Sequence, residues 1–78
     1  MKLYISDTPI TFPQSEYGGT IAITANNIAE WEDILRAKYK YESDRGDFDF
    51  SIALESMKEF PLVLTKDYVS EVVYEFLT

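Results

Sequence analysis

Hydrophobic and polar positions along the chain follow two different periods. KLYIS (2–6) alternates and predicts a β-strand, DTP (7–9) is turn chemistry, and ITF (10–12) either pairs back or leads on. PQSEYGG (13–19) reads as a loop, and the β-branched TIAITA (20–25) as another strand. The period then lengthens. In NNIAEWEDILRAKYKY (26–41), Ile28, Trp31, Leu35 and Tyr39 recur at helical spacing with Ile34 beside them. Asn27 stands where an N-cap belongs and Glu30 where a capping-box acid belongs. Glu32 and Arg36 make a favourable i,i+4 pair. DFSIALESMKEF (49–60) predicts a second helix capped by Asp49, with Phe50, Ala53, Leu54, Met57 and Phe60 inward, although FDFSIAL (48–54) is also compatible with a strand. Pro61 ends that helix. LVLT (62–65) predicts a short buried strand. TKDYVSEVVYEFLT (65–78) predicts a last helix capped by Thr65, its apolar stripe formed by Tyr68, Val69, Val72, Val73, Phe76 and Leu77. The order ββα(α)βα predicts an α+β domain, a small sheet of about three strands packed with two or three helices.

Composition narrows what such a domain can do. The 78 residues allow one compact domain, 1–78, and the 46% apolar and 15% aromatic content excludes a disordered chain. There is neither Cys nor His, so disulfides, thiolate or imidazole metal sites and the commonest general base are all missing. No P-loop, dinucleotide fingerprint or nucleophile elbow occurs, and the expectation is a protein that is not an enzyme and carries no cofactor. The first residues hold no stretch long enough for a signal-peptide core or a membrane span, and the expected location is the cytosol, or a host's cytosol for a phage-encoded chain.

The net charge is −7, with 14 carboxylates against 7 bases. Direct nucleic-acid binding needs clustered Lys and Arg and is not expected, and an anionic membrane is disfavoured for the same reason. A basic protein partner is favoured by long-range attraction. Residues 1–39 hold five carboxylates and three bases, and residues 40–78 hold nine and four, so the second half carries most of the field.

Within that half, ESDRGDFDFS (42–51) gathers Glu42, Asp44, Asp47 and Asp49 around a single Arg45. Its RGD tripeptide would need an exposed extracellular loop to bind an integrin, and the reading here is a turn at Gly46. Neither an EF-hand frame starting at Asp44 nor one starting at Asp47 places its oxygen ligands and glycine correctly. Phe48 and Phe50 alternate with the acids. Phe50 is expected inward, whereas Phe48 stays open between the core and an exposed aromatic anchor for a partner. On the predicted last helix, Asp67, Glu71 and Glu75 recur at i, i+4, i+8 and form one acidic stripe. Like charges at this spacing cost roughly 0.2–0.5 kcal/mol per pair, so stability alone does not account for them. Their rise of about 6 Å per step is close to two nucleotide steps of a DNA strand, and a carboxylate row can imitate a phosphate row. The partner-binding candidates are therefore Asp67, Glu71 and Glu75, then Asp44, Asp47 and Asp49, with Glu42 and Phe48 beside them. An ordinary solvated face is the alternative for all of them.

In size, lack of Cys and His, acid excess and Tyr richness, the chain resembles small phage-encoded inhibitors of the anti-CRISPR and DNA-mimic kind. That resemblance implies an inhibitor occupying the nucleic-acid site of a basic nuclease or CRISPR effector complex. Separately, Glu59-Phe60-Pro61-Leu62-Val63-Leu64 is similar to the segment entering the central strand of barstar-like inhibitors. The predicted order of strand 20–25, helix 28–41, acidic loop, short helix, strand 62–65 and helix 66–77 also resembles that family. There an acidic loop and helix plug a ribonuclease active site, which would assign the task to residues 42–49. The chain departs from the family in its extra residues before Thr20 and in lacking a further strand after the last helix. The rival expectation is a small structural, assembly or regulatory module, monomer or homodimer, that associates through apolar surface while the acids keep it soluble.

Overall fold

The structure, a computed structural model, describes residues 1–11, 18–62 and 69–77. It is α+β. The alternating segment at the start forms β1 (Lys2–Asp7), and the β-branched run forms β2 (Gly19–Ala25). The helical period gives α1 (Ile28–Lys38), continued after a break at Tyr39 by α2 (Lys40–Asp44), and α3 is Phe50–Ser56. Two further strands follow, β3 (Lys58–Pro61) and β4 (Glu71–Leu77). Among the described residues every strand pairing is antiparallel, and the sheet order is β3-β1-β2-β4.

The helix start at residue 28 rests on the predicted cap. Asn27 Oδ1 accepts the Glu30 amide N–H at 2.9 Å, and Glu30 reaches back to the Asn26 N–H at 3.1 Å. Satisfying these otherwise orphaned donors is worth about 1 kcal/mol. The Ser70 hydroxyl also donates to Glu30. That contact, with the Asn26 N–H second, holds the Glu30 carboxyl below its usual range. Asp49 caps α3 by accepting from the Ser51 N–H at 3.0 Å and the Ser51 hydroxyl at 2.6 Å.

The helices cover one face of the sheet. Tyr4, Ile21, Ile23 and Ala25 point from the strands into a core completed by Ile10, Trp31, Leu35, Tyr39 and Ala53. Trp31 is fully buried, with ring centroids 5.8 Å from Tyr4 and 5.5 Å from Phe50. Removing a ring of that size from a core costs roughly 3–5 kcal/mol.

Three expectations need correction. The segment predicted as helix over 49–60 is helical only over Phe50–Ser56. Its end instead makes the edge strand β3, and Pro61 is tolerated there at the end of an edge strand. Leu54 is exposed and Phe60 lies on the sheet, so neither packs inward as a helical residue. The strand expected at 62–65 begins outside β3, and residues 63–65 lie outside the described residues. Over 71–77 the predicted last helix is the strand β4, which brings the sheet to four strands among the described residues and leaves Val73, Phe76 and Leu77 exposed. EVVYEFL consists largely of β-branched and aromatic residues, which suit a pleated surface, and β2 needs a partner for its second row of backbone hydrogen bonds. Thr65, Asp67 and Tyr68 lie outside the described residues.

Candidate functional site

The acidic segment 42–49 is folded on itself. α2 carries the chain to Asp44, Gly46 takes a positive φ of 81°, and the Asp47 N–H returns to the Glu42 carbonyl at 2.8 Å. Arg45 Nε lies 3.6 Å from Asp47 Oδ2, and its Nη1 donates to the Tyr41 hydroxyl at 3.2 Å. The two charged ends of the RGD tripeptide thus face each other. Asp44 pairs loosely with Lys40 at 3.7 Å and is largely exposed, Glu42 is half-buried, and Asp49 is exposed but occupied as a cap.

Phe48 is half-buried against the core. Its backbone bridges Ile10, and its ring lies 6.4 Å from Tyr39. The Arg36 guanidinium sits over both loop aromatics, 4.6 Å from the Phe50 centroid and 5.5 Å from that of Phe48, while its Nε bonds Glu32 at 2.7 Å. Both phenylalanines therefore anchor the acidic segment to α1.

The predicted stripe of Asp67, Glu71 and Glu75 is not a helical row. Asp67 lies outside the described residues, and Glu71 and Glu75 lie on β4. Glu71 pairs with Thr24 and Glu75 with Ile21, with a register shift between Ala22 and Ile23 that leaves Val73 as the extra residue. A bulge of one residue inverts the alternation beyond it. Glu75 consequently points to the helical side with Val72, and Glu71 to the opposite side. Glu75 accepts from the buried Tyr39 hydroxyl at 2.5 Å and pairs with Lys38 at 3.4 Å. Burial, and secondarily the Glu75 carboxylate, push the Tyr39 phenol far above its ordinary value. The Glu71 side chain has no partner among the described residues, while its N–H donates to Thr24 Oγ1 at 3.2 Å.

Two surfaces result. One is the spread of unpaired carboxylate. Five ion pairs engage Lys2, Arg36, Lys38, Lys40 and Arg45, leaving Lys58 as the one described base without an acid. Asp7, Asp33, Glu55 and Glu71 are exposed, with no partner for their carboxylates among the described residues.

The other surface is the face of the sheet away from the helices, which pattern reading missed. Lys58, Ile5, Ala22 and Tyr74 form one row across it. Phe60, Leu3, Thr24 and Glu71 form the next, and Asp7, Thr20 and Phe76 a third. Phe60, Tyr74 and Phe76 are 43%, 55% and 52% exposed. The signal in the sequence for this face is the alternation within KEFP and VYEF, which reads as strand once a helical period is not imposed.

No three carboxylates among the described residues are grouped to hold a metal ion, and no described helix is long and apolar enough to cross a membrane. Compared with known proteins, the chain matches no family model, no curated protein and no solved structure.

Proposed function

We propose that the protein is a non-enzymatic binding protein that inhibits a basic, nucleic-acid-handling partner, such as a nuclease or CRISPR effector complex, by covering the surface its nucleic acid would occupy. A cytosolic setting belongs to this proposal. One observation carries it: the described bases are almost all engaged in internal ion pairs, so the surplus of negative charge stands at the surface on Asp7, Asp33, Glu55 and Glu71, with the loosely held Asp44. Such a field attracts a basic surface and speeds encounter with it. Proteins that grip phosphate rows present such surfaces.

The test is capture of partners from bacterial lysate on the immobilised chain, with elution in steps of rising salt and competition by DNA and RNA. A partner that leaves at moderate salt and yields to nucleic acid supports inhibition by mimicry. A partner retained through high salt and indifferent to nucleic acid contradicts it, because charge attraction is screened and apolar contact is not.

A second reading, an assembly module associating through apolar surface, is favoured by the sheet face away from the described helices, with its three half-exposed aromatic rings. About half of three aromatic side chains of about 150–250 Å² each is roughly 300 Å², the size at which a monomer's apolar patch is often functional.

A further inference from the structure

We infer that the sheet face away from the described helices is self-complementary and that a second copy of this chain packs on it, the two sheets lying face to face about a two-fold axis parallel to the strands. The inference rests on the assembly reading of that face and names its occupant. Lys58, the one described base without an ion pair, stands on the edge strand β3. Glu71, a carboxylate without a partner among the described residues, stands on the same face at the opposite edge, on β4.

A two-fold axis parallel to the strands lays β3 of each copy over β4 of the other. Lys58 then meets the second copy's Tyr74, which occupies its own row. The second copy's Glu71 lies one row away, about 7 Å along the strand. Sheets packed in this way are about 10 Å apart, a gap that a lysine and a glutamate reaching from opposite sides can close. Two symmetric Lys58–Glu71 contacts then flank a centre made by the half-buried Ile5 of both copies, with Ala22 already buried within each. A two-fold axis perpendicular to the strands would instead lay β3 over β3 and β4 over β4, keeping Lys58 and the second copy's Glu71 at opposite edges. The apolar area is small for an interface, since stable dimers bury about 800 Å² per partner, so the dimer is weak and its population depends on concentration.

Sedimentation equilibrium over a wide concentration range tests this on the intact chain, with circular dichroism confirming that each variant is folded. The expected result is a monomer when dilute and a dimer when concentrated. Lys58→Glu and Glu71→Lys should each weaken the dimer about tenfold, since each alters two contacts, and the double swap should restore it. Glu71→Lys also reduces the magnitude of the net negative charge, so general repulsion alone predicts the opposite sign for that variant. Phe76→Glu, or Phe60→Glu on the other edge should the first variant fail to fold, should abolish the dimer. A monomer at every concentration overturns the inference. A dimer lost on Phe76→Glu but indifferent to the charge swap overturns the proposed axis and leaves the assembly reading standing. A dimer indifferent to both overturns the inference and that reading together.

Discussion

Glu71 and Glu75, four residues apart on one strand, point to opposite faces of the sheet because Val73 is an extra residue between them. In a helix they would share a face, and in an unbroken strand they would share one too. The bulge gives them different surroundings: Glu75 ties β4 to α1 through Tyr39 and Lys38, and Glu71 remains at the solvent side.

The first prediction concerns pH. The Tyr39 phenol is raised in the folded protein by burial and then by Glu75, against an ordinary value of 10.0 when unfolded. Above about pH 10 the unfolded chain therefore loses a proton that the folded chain keeps, and stability falls as pH rises. Below that pH the contribution is fully present. Tyr4 is raised as well, again chiefly by burial. Tyr39→Phe should thus reduce, without eliminating, the loss of stability between pH 9 and about 11, measured by denaturant midpoints at each pH.

The second prediction concerns the approach of β4 to β2. A Cβ on Gly19 would run into the Phe76 backbone carbonyl. That carbonyl belongs to the strand itself, so a side-chain rearrangement cannot relieve the clash. Gly19→Ala should cost about 2 kcal/mol or more. Hydrogen exchange should show the loss first in the amides of Glu71–Leu77, with β1 remaining protected.

A third prediction concerns the acidic segment, which Arg36 pins through the Phe48 and Phe50 rings. Arg36→Ala should destabilise by about 0.5–1.5 kcal/mol. Arg36→Lys should recover only part of this, because an ammonium group cannot stack as the planar guanidinium does. Thermal denaturation of the three proteins checks the order.

Much of α1 was legible in the sequence because its determinants are local. The Asn27–Glu30 cap, the inward Trp31 and Leu35, and the Glu32–Arg36 pair all lie within one or two turns. The Asp49 cap is equally local. β4 was not legible. Val72 and Phe76 satisfy a helical spacing as readily as VVYEF satisfies a strand, and what decides between them is the unpaired edge of β2, far away in sequence. The bulge at Val73 and the contact of Tyr39 with Glu75, 36 residues apart, have no local signature at all. The candidate site shared that fate. The carboxylate row follows a period that tertiary pairing overrides, whereas the aromatic face away from the described helices exists only once β3 and β4 are placed at the two edges of the sheet.

The placement of Glu71 and Glu75 on opposite faces of the sheet is tested most directly by guanidinium denaturation of Glu71→Ala and Glu75→Ala side by side. Glu75→Ala leaves the buried Tyr39 hydroxyl without its acceptor and should cost about 1–3 kcal/mol, with little added cost when combined with Tyr39→Phe. Glu71→Ala removes an exposed side chain without a partner among the described residues and should stay within about 0.5 kcal/mol of the parent. Equal effects from the two substitutions would contradict the split of these carboxylates between the two faces of the sheet, and would return both to a single acidic row.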